Sequence, residues 1–165
     1  MEHILSWLIW LPIIGMVAIA FIPRDKEDVI KITAAATTGL QFLLTLVLWK
    51  NFDSGSGAMQ FMERAEWIPS FNIAYILGVD GLSLPMVVLT GLLCFLGIFV
   101  SWNINKAVKG YFALFLLLDT GIMGVFLSMD FFLFYIFWEV MLLPMYFLIG
   151  IWLSLIHISE PTRPY

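Results

Sequence analysis

The chain has 165 residues, of which 62% are hydrophobic and 12% charged, with a mean hydropathy of +0.99; a soluble domain keeps its apolar share near one half, so a water-soluble fold is excluded. The formal net charge of −4 says little about partners, because most of it sits in loops screened by solvent and headgroups, and no basic patch argues for nucleic acid. One cysteine and two histidines are too few for a zinc or iron–sulfur site, so no cofactor or metal is expected in this chain.

Spanning a bilayer takes about 20 predominantly apolar residues in a helix. Five windows meet that length, at residues 4–22, 29–49, 81–102, 111–129 and 131–152, and predict an all-α integral membrane fold of five transmembrane helices. The first window has a signal-like Ala18-Ile19-Ala20. However, its leading residues Met1-Glu2-His3 carry no Lys or Arg, so it reads as an uncleaved span.

The second connection, residues 51–79, is the only sizeable loop. After the Gly55-Ser56-Gly57 linker, Met59–Ala65 and Phe71–Leu77 flank Trp67-Ile68-Pro69-Ser70, which predicts two short extended or amphipathic segments joined by a turn. Trp67 and Tyr75 suit the headgroup level. Arg24, Lys26 and Lys31 flank the first connection, and Lys106 and Lys109 lie in the third. The positive-inside rule therefore puts those two connections in the cytoplasm, and the amino terminus and the loop at 51–79 outside.

Glu139 is the one ionisable carboxylate in the Phe131–Trp152 run. A charge at a helix centre costs about 2.5–3.5 kcal/mol on insertion scales, so it marks a candidate proton carrier; the plainer alternative is a structural acid bonded to a neighbouring helix. The fourth and fifth spans are joined by the tight Met129-Asp130 turn and must run antiparallel. Asp119 lies about ten residues before that turn and Glu139 about nine after it, so both sit roughly 14 Å below the same interface. If they face each other, Asp119 can modulate Glu139 by sharing a proton; their facing is left open by the sequence.

Pro144, five residues after Glu139, leaves the carbonyl of Val140 without its helical donor. It is either a packing kink or an opening for water beside the acid. Asp80, opening the third span, is expected to cap its first free N–H groups. Asp130 is expected to be solvated, and His3, His157 and Cys94 have no evident partners.

The stretches LGVDGLSLPMVVLTGLLCFLGIFVSW (Leu77–Trp102) and GVFLSMDFFLFYIFWEVMLLPMYFLIGIW (Gly124–Trp152), with Trp67-Ile68-Pro69 before them, resemble the chain M/chain 4 family of NADH–quinone oxidoreductase, respiratory complex I. The resemblance covers about residues 1–152, the amino-terminal third of that family's length. It implies an antiporter-like proton-translocating membrane subunit without a cofactor of its own, partnered by the other membrane subunits of a complex in the bacterial inner membrane. NAD, FMN, iron–sulfur clusters and quinone are then expected in partner subunits. It also implies that Glu139 is the family's key glutamate, paired with a lysine on a later helix. Asp80 matches a recurrent family aspartate, whereas Asp119 does not fall on a fixed one.

Residues 153–165, LSLIHISEPTRPY, depart from the family and read as a translated sequencing adapter, an artefactual end to a truncated chain. Two other readings stay open. One is a subunit of a multisubunit sodium/proton antiporter or membrane-bound hydrogenase. The other is a non-transporting five-span structural or assembly protein.

Overall fold

The computed structural model describes residues 3–53, 55, 57–71, 73–104 and 106–153. The expectations for residues 154–165, His157 among them, and for the side chain of Trp67 lie outside what is described. Five α-helices and one hairpin follow in order: α1 Ile4–Ala20, α2 Glu27–Lys50, β1 Gln60–Ile68, β2 Ile73–Val79, α3 Ser83–Val100, α4 Val108–Leu127 and α5 Phe131–Leu148. α5 continues into a π-helical turn, Ile149–Leu153.

Four helical stretches, Glu27–Lys50, Ser83–Asn103, Val108–Leu127 and Phe131–Ile151, are long and apolar enough to cross a membrane. α1 has 17 residues, about 25 Å of helix, and packs alongside them. Local chemistry sets the ends. Pro23 pushes Ile22 out of helical geometry, so α1 stops at Ala20. Glu27 and Asp28 suit the positive first turn of α2, which starts two residues before the apolar run.

The two extended segments pair as an antiparallel hairpin, turned by a 3-10 turn at Pro69–Phe71. Its second strand is held by the α4–α5 connection: Met129 N–H donates to Ile76 O at 2.8 Å, and Leu77 bridges to Ser128. The register of β1 shifts between Gln60 and Glu63, and Phe61 there has φ 56°. A bulky side chain at positive φ is a strained bulge, and it precedes the residue that binds α1. Glu63 accepts from Ser6 N–H at 2.9 Å and Ser6 Oγ at 2.6 Å, with His3 Nδ1 at 3.2 Å. No α1 side chain caps that helix, so Glu63 supplies the cap from the hairpin. Tyr75 joins the same network through Ser6 Oγ at 2.9 Å and Trp10 Nε1 at 3.0 Å. His3 therefore has a partner after all, one that sequence separation concealed.

Two apolar clusters fill the bundle. At the hairpin end, Leu5, Leu8 and Ile9 meet Leu48, Leu77, Val87, Met123, Leu127 and Phe137. At the other end, Ile19, Ile30 and Ala34 meet Ile98, Val108, Phe112 and Leu116. α4 and α5 touch along a glycine seam. A Cβ on Gly121 would stand 2.7 Å from the backbone of Met141, and one on Gly124 would run into the ring of Phe137. Small residues of this kind let membrane helices approach backbone to backbone, where dispersion rather than the hydrophobic effect holds them.

Candidate functional site

Between the two apolar clusters lies a polar layer contributed by four helices. It begins with Pro12 in α1, whose ring has no N–H to give the Leu8 carbonyl. Gln41, mid-way along α2 and fully buried, donates from Nε2 to that carbonyl at 2.8 Å. The amide thus replaces the bond the proline removed, and the missing donor becomes a link between α1 and α2. Its Oε1 stays buried and unpartnered.

Asp119 of α4 belongs to this layer. It is 0% exposed, and neither carboxylate oxygen reaches hydrogen-bonding geometry with a partner. Gln41 and Cys94 of α3 approach it, so Cys94 is not isolated either. The neighbouring Thr120 is 2% exposed with an unpartnered hydroxyl. No Lys or Arg pairs with Asp119 among the described residues. The carboxyl is thus set among neutral polar groups, Gln41, Cys94 and Thr120, that can exchange hydrogen bonds with it if the layer rearranges.

Glu139 is placed differently. α5 buries only Leu133, Phe137 and Pro144, and Glu139 lies on its exposed side beside Trp138, which is 42% exposed. Leu143 and Tyr146 continue that outward face. The structure does not bring Asp119 and Glu139 together: one is directed into the α1–α4 interior, the other away from it. Pro144 is buried on the inner side of α5, one and a half turns beyond the acid.

Asp80 sits at the start of α3, where its Oδ1 accepts from Ser83 N–H at 2.8 Å and Leu82 N–H at 3.1 Å. Its own N–H donates to Ser83 Oγ at 3.0 Å, a reciprocal capping arrangement. The Ser83 backbone N–H, foremost, holds the Asp80 carboxyl below its ordinary acidity range. Asp130 is not simply solvated. It caps α5 through Phe132 and Leu133 N–H at 2.9 and 3.1 Å, and it accepts from Ala74 N–H of the hairpin at 3.3 Å.

Sequence reasoning missed Gln41 and Glu63. Glu63 carried no local signal, since its partner is 57 residues away. Gln41 carried one: a lone amide at mid-span and a proline-freed carbonyl in the preceding span are complementary orphans. Among the described residues, no three His, Cys, Asp or Glu side chains stand close enough together to hold a metal ion.

No family model matches the chain. It is 42% identical over 156 residues to NADH-quinone oxidoreductase subunit M of Escherichia coli (strain K12), covering 90% of this chain and 31% of that protein. It is 38% identical over 149 residues to NADH-ubiquinone oxidoreductase chain 4 of Arabidopsis thaliana, covering 90% of this chain and 30% of that protein. A chain in a solved structure of respiratory complex I from Thermus thermophilus with bound NADH has the same fold. The TM-score is 0.75 at 23% identity, over 90% of this chain and 29% of that chain. The chain spans about a third of the length of the curated relatives it matches.

Proposed function

The chain belongs to the NADH-quinone oxidoreductase chain 4/subunit M family, and on that premise we propose that it works as a proton-translocating membrane subunit of complex I with Glu139 as the proton carrier. The observation that carries this reading is the position of Glu139, a carboxylate at mid-span on the face of α5 that the other four helices leave uncovered. Such a group is costly in lipid alone and less so once a cation or an acid–base partner stands opposite. The lysine implied by the family resemblance would come from a segment or subunit that packs on this face.

Asp119 fits as a second, internal protonation site, acting on Glu139 through the α4–α5 seam rather than by direct proton sharing. Electron transfer from NADH to quinone would occur in partner subunits and drive the protonation cycle of Glu139. The basic ends of α1 and α4 support a cytoplasmic placement for the 21–26 and 101–107 connections in a bacterial inner membrane, with the amino terminus outside.

The test is Glu139→Gln in the assembled complex. The expected result is loss of NADH-driven proton uptake into inverted vesicles, with the complex still assembled on native gels. Proton uptake at the wild-type rate would overturn the assignment.

A further inference from the structure

At the end of the bundle opposite the hairpin, a cleft of about 700 Å³ opens between the last turn of α1 and the first turn of α4. That volume is in the range of small-ligand sites, about 300–1,000 Å³. Its deeper wall is apolar, formed by Met16, Val17 and Ala113. Its mouth carries two cations, Arg24 and Lys109, and one carboxylate, Glu27. α1 ends at Ala20 and α4 begins at Val108, so the charged mouth lies at headgroup depth and the apolar wall runs inward from it.

The geometry points to a binding site for an anionic phospholipid, its phosphate held by Arg24 and Lys109 and an acyl chain lying along Met16, Val17 and Ala113. Lys109 Nζ donates to the Ala20 carbonyl at 2.8 Å. That bond satisfies one of the open carbonyls at the end of α1 and fixes the ammonium at the mouth, with two further donors to offer. Ala107, Val108 and Gly110 also line the cleft, and no side chain caps that helix start; a phosphate bound there would meet open N–H groups of the first turn. Arg24 contributes a planar fork matched to phosphate oxygens. Glu27 sets the preference, because two cations against one carboxylate leave a net positive site that favours an anionic headgroup over a zwitterionic one. Arg24, Lys26, Lys31, Lys106 and Lys109 at this end of the molecule stand against Asp25, Glu27 and Asp28, a modest positive excess of the kind that attracts anionic lipid.

This inference needs only the bilayer placement and is independent of any role for Glu139. It is tested by native mass spectrometry on the full chain, purified in mild detergent, delipidated and then offered phosphatidylglycerol or phosphatidylcholine. Phosphatidylglycerol is expected to be retained about tenfold better, a difference near 1.4 kcal/mol. The preference should vanish in the Arg24→Gln/Lys109→Gln double variant and persist in Lys26→Gln, whose side chain does not line the cleft. Ala113→Phe keeps both cations but fills the apolar wall; it should weaken retention with the helix content by circular dichroism unchanged. Equal retention of both lipids, an undiminished preference in the double variant, or full retention in Ala113→Phe would each overturn the site. Displacement of the lipid by millimolar inorganic phosphate would likewise overturn it, reducing it to a simple anion site.

Discussion

Asp119 and Glu139 stand about equally far along adjacent helices from the turn that joins them, yet they occupy opposite kinds of surroundings. Asp119 is enclosed by α1–α4, with Gln41, Cys94 and Thr120 in its layer. Glu139 stands on the outer side of α5 among Trp138, Leu143 and Tyr146. The contrast shows that depth and facing are separate properties in a membrane helix. The interior acid is surrounded by polar side chains of this chain without a hydrogen bond to any of them, whereas the outer acid faces away from the described helices.

Beyond the loss of proton uptake in Glu139→Gln, the largest expected effect falls on the seam that keeps the two acids apart. Gly121→Val places a branched side chain where even a Cβ stands 2.7 Å from the Met141 backbone. Overpacking of this kind costs about 1–3 kcal/mol. α5 should detach from α4 first, seen as rapid proteolysis of α5 in detergent while the α1–α4 part stays protected. An intact α5 with unchanged unfolding in mixed micelles would show that the seam is looser than its geometry.

A smaller effect is expected inside the polar layer. Gln41→Leu leaves the Leu8 carbonyl without a donor, at a cost of about 1–3 kcal/mol for an unsatisfied buried acceptor. Gln41→Glu, protonated at acidic pH, should recover part of it through its hydroxyl. Equal stability of the leucine variant and wild type would mean that the Pro12 gap needs no cross-helix donor.

The smallest effect lies outside both acids' surroundings. Asp80→Ala removes the α3 cap and should cost about 1 kcal/mol at neutral pH. Because the folded carboxyl is more acidic than its ordinary value near 3.8, the unfolded chain binds the proton first as pH falls. The difference from wild type is therefore full above that value and closes as pH drops through the lowered one. A gap that persisted under those conditions would show a role other than accepting the Leu82 and Ser83 N–H groups.

The five helices and the hairpin were legible because apolar run length and the Pro-Ser turn are local properties. The similar distance of Asp119 and Glu139 from the α4–α5 turn was legible too, since residues can be counted from it. Facing was not. In a soluble helix the polar face announces the outside, but Leu143 facing outward and Leu116 facing inward are chemically identical here. Asp130 was readable as a cap from its place just before Phe131, and treating it as solvated overlooked the free N–H groups that follow. Glu63 and Ser6 meet only through the folded hairpin, and neither residue's neighbourhood in the chain hints at the other.

Pro12 has a consequence for how the protein is made. A lone α1 emerging into lipid exposes the Leu8 carbonyl with no donor of its own, and hydrocarbon offers none. The vacancy closes only when Gln41 arrives with α2. The first two spans therefore enter the bilayer most favourably as a preassembled pair, and a proline that weakens one helix doubles as the device that makes the nascent chain wait for its second.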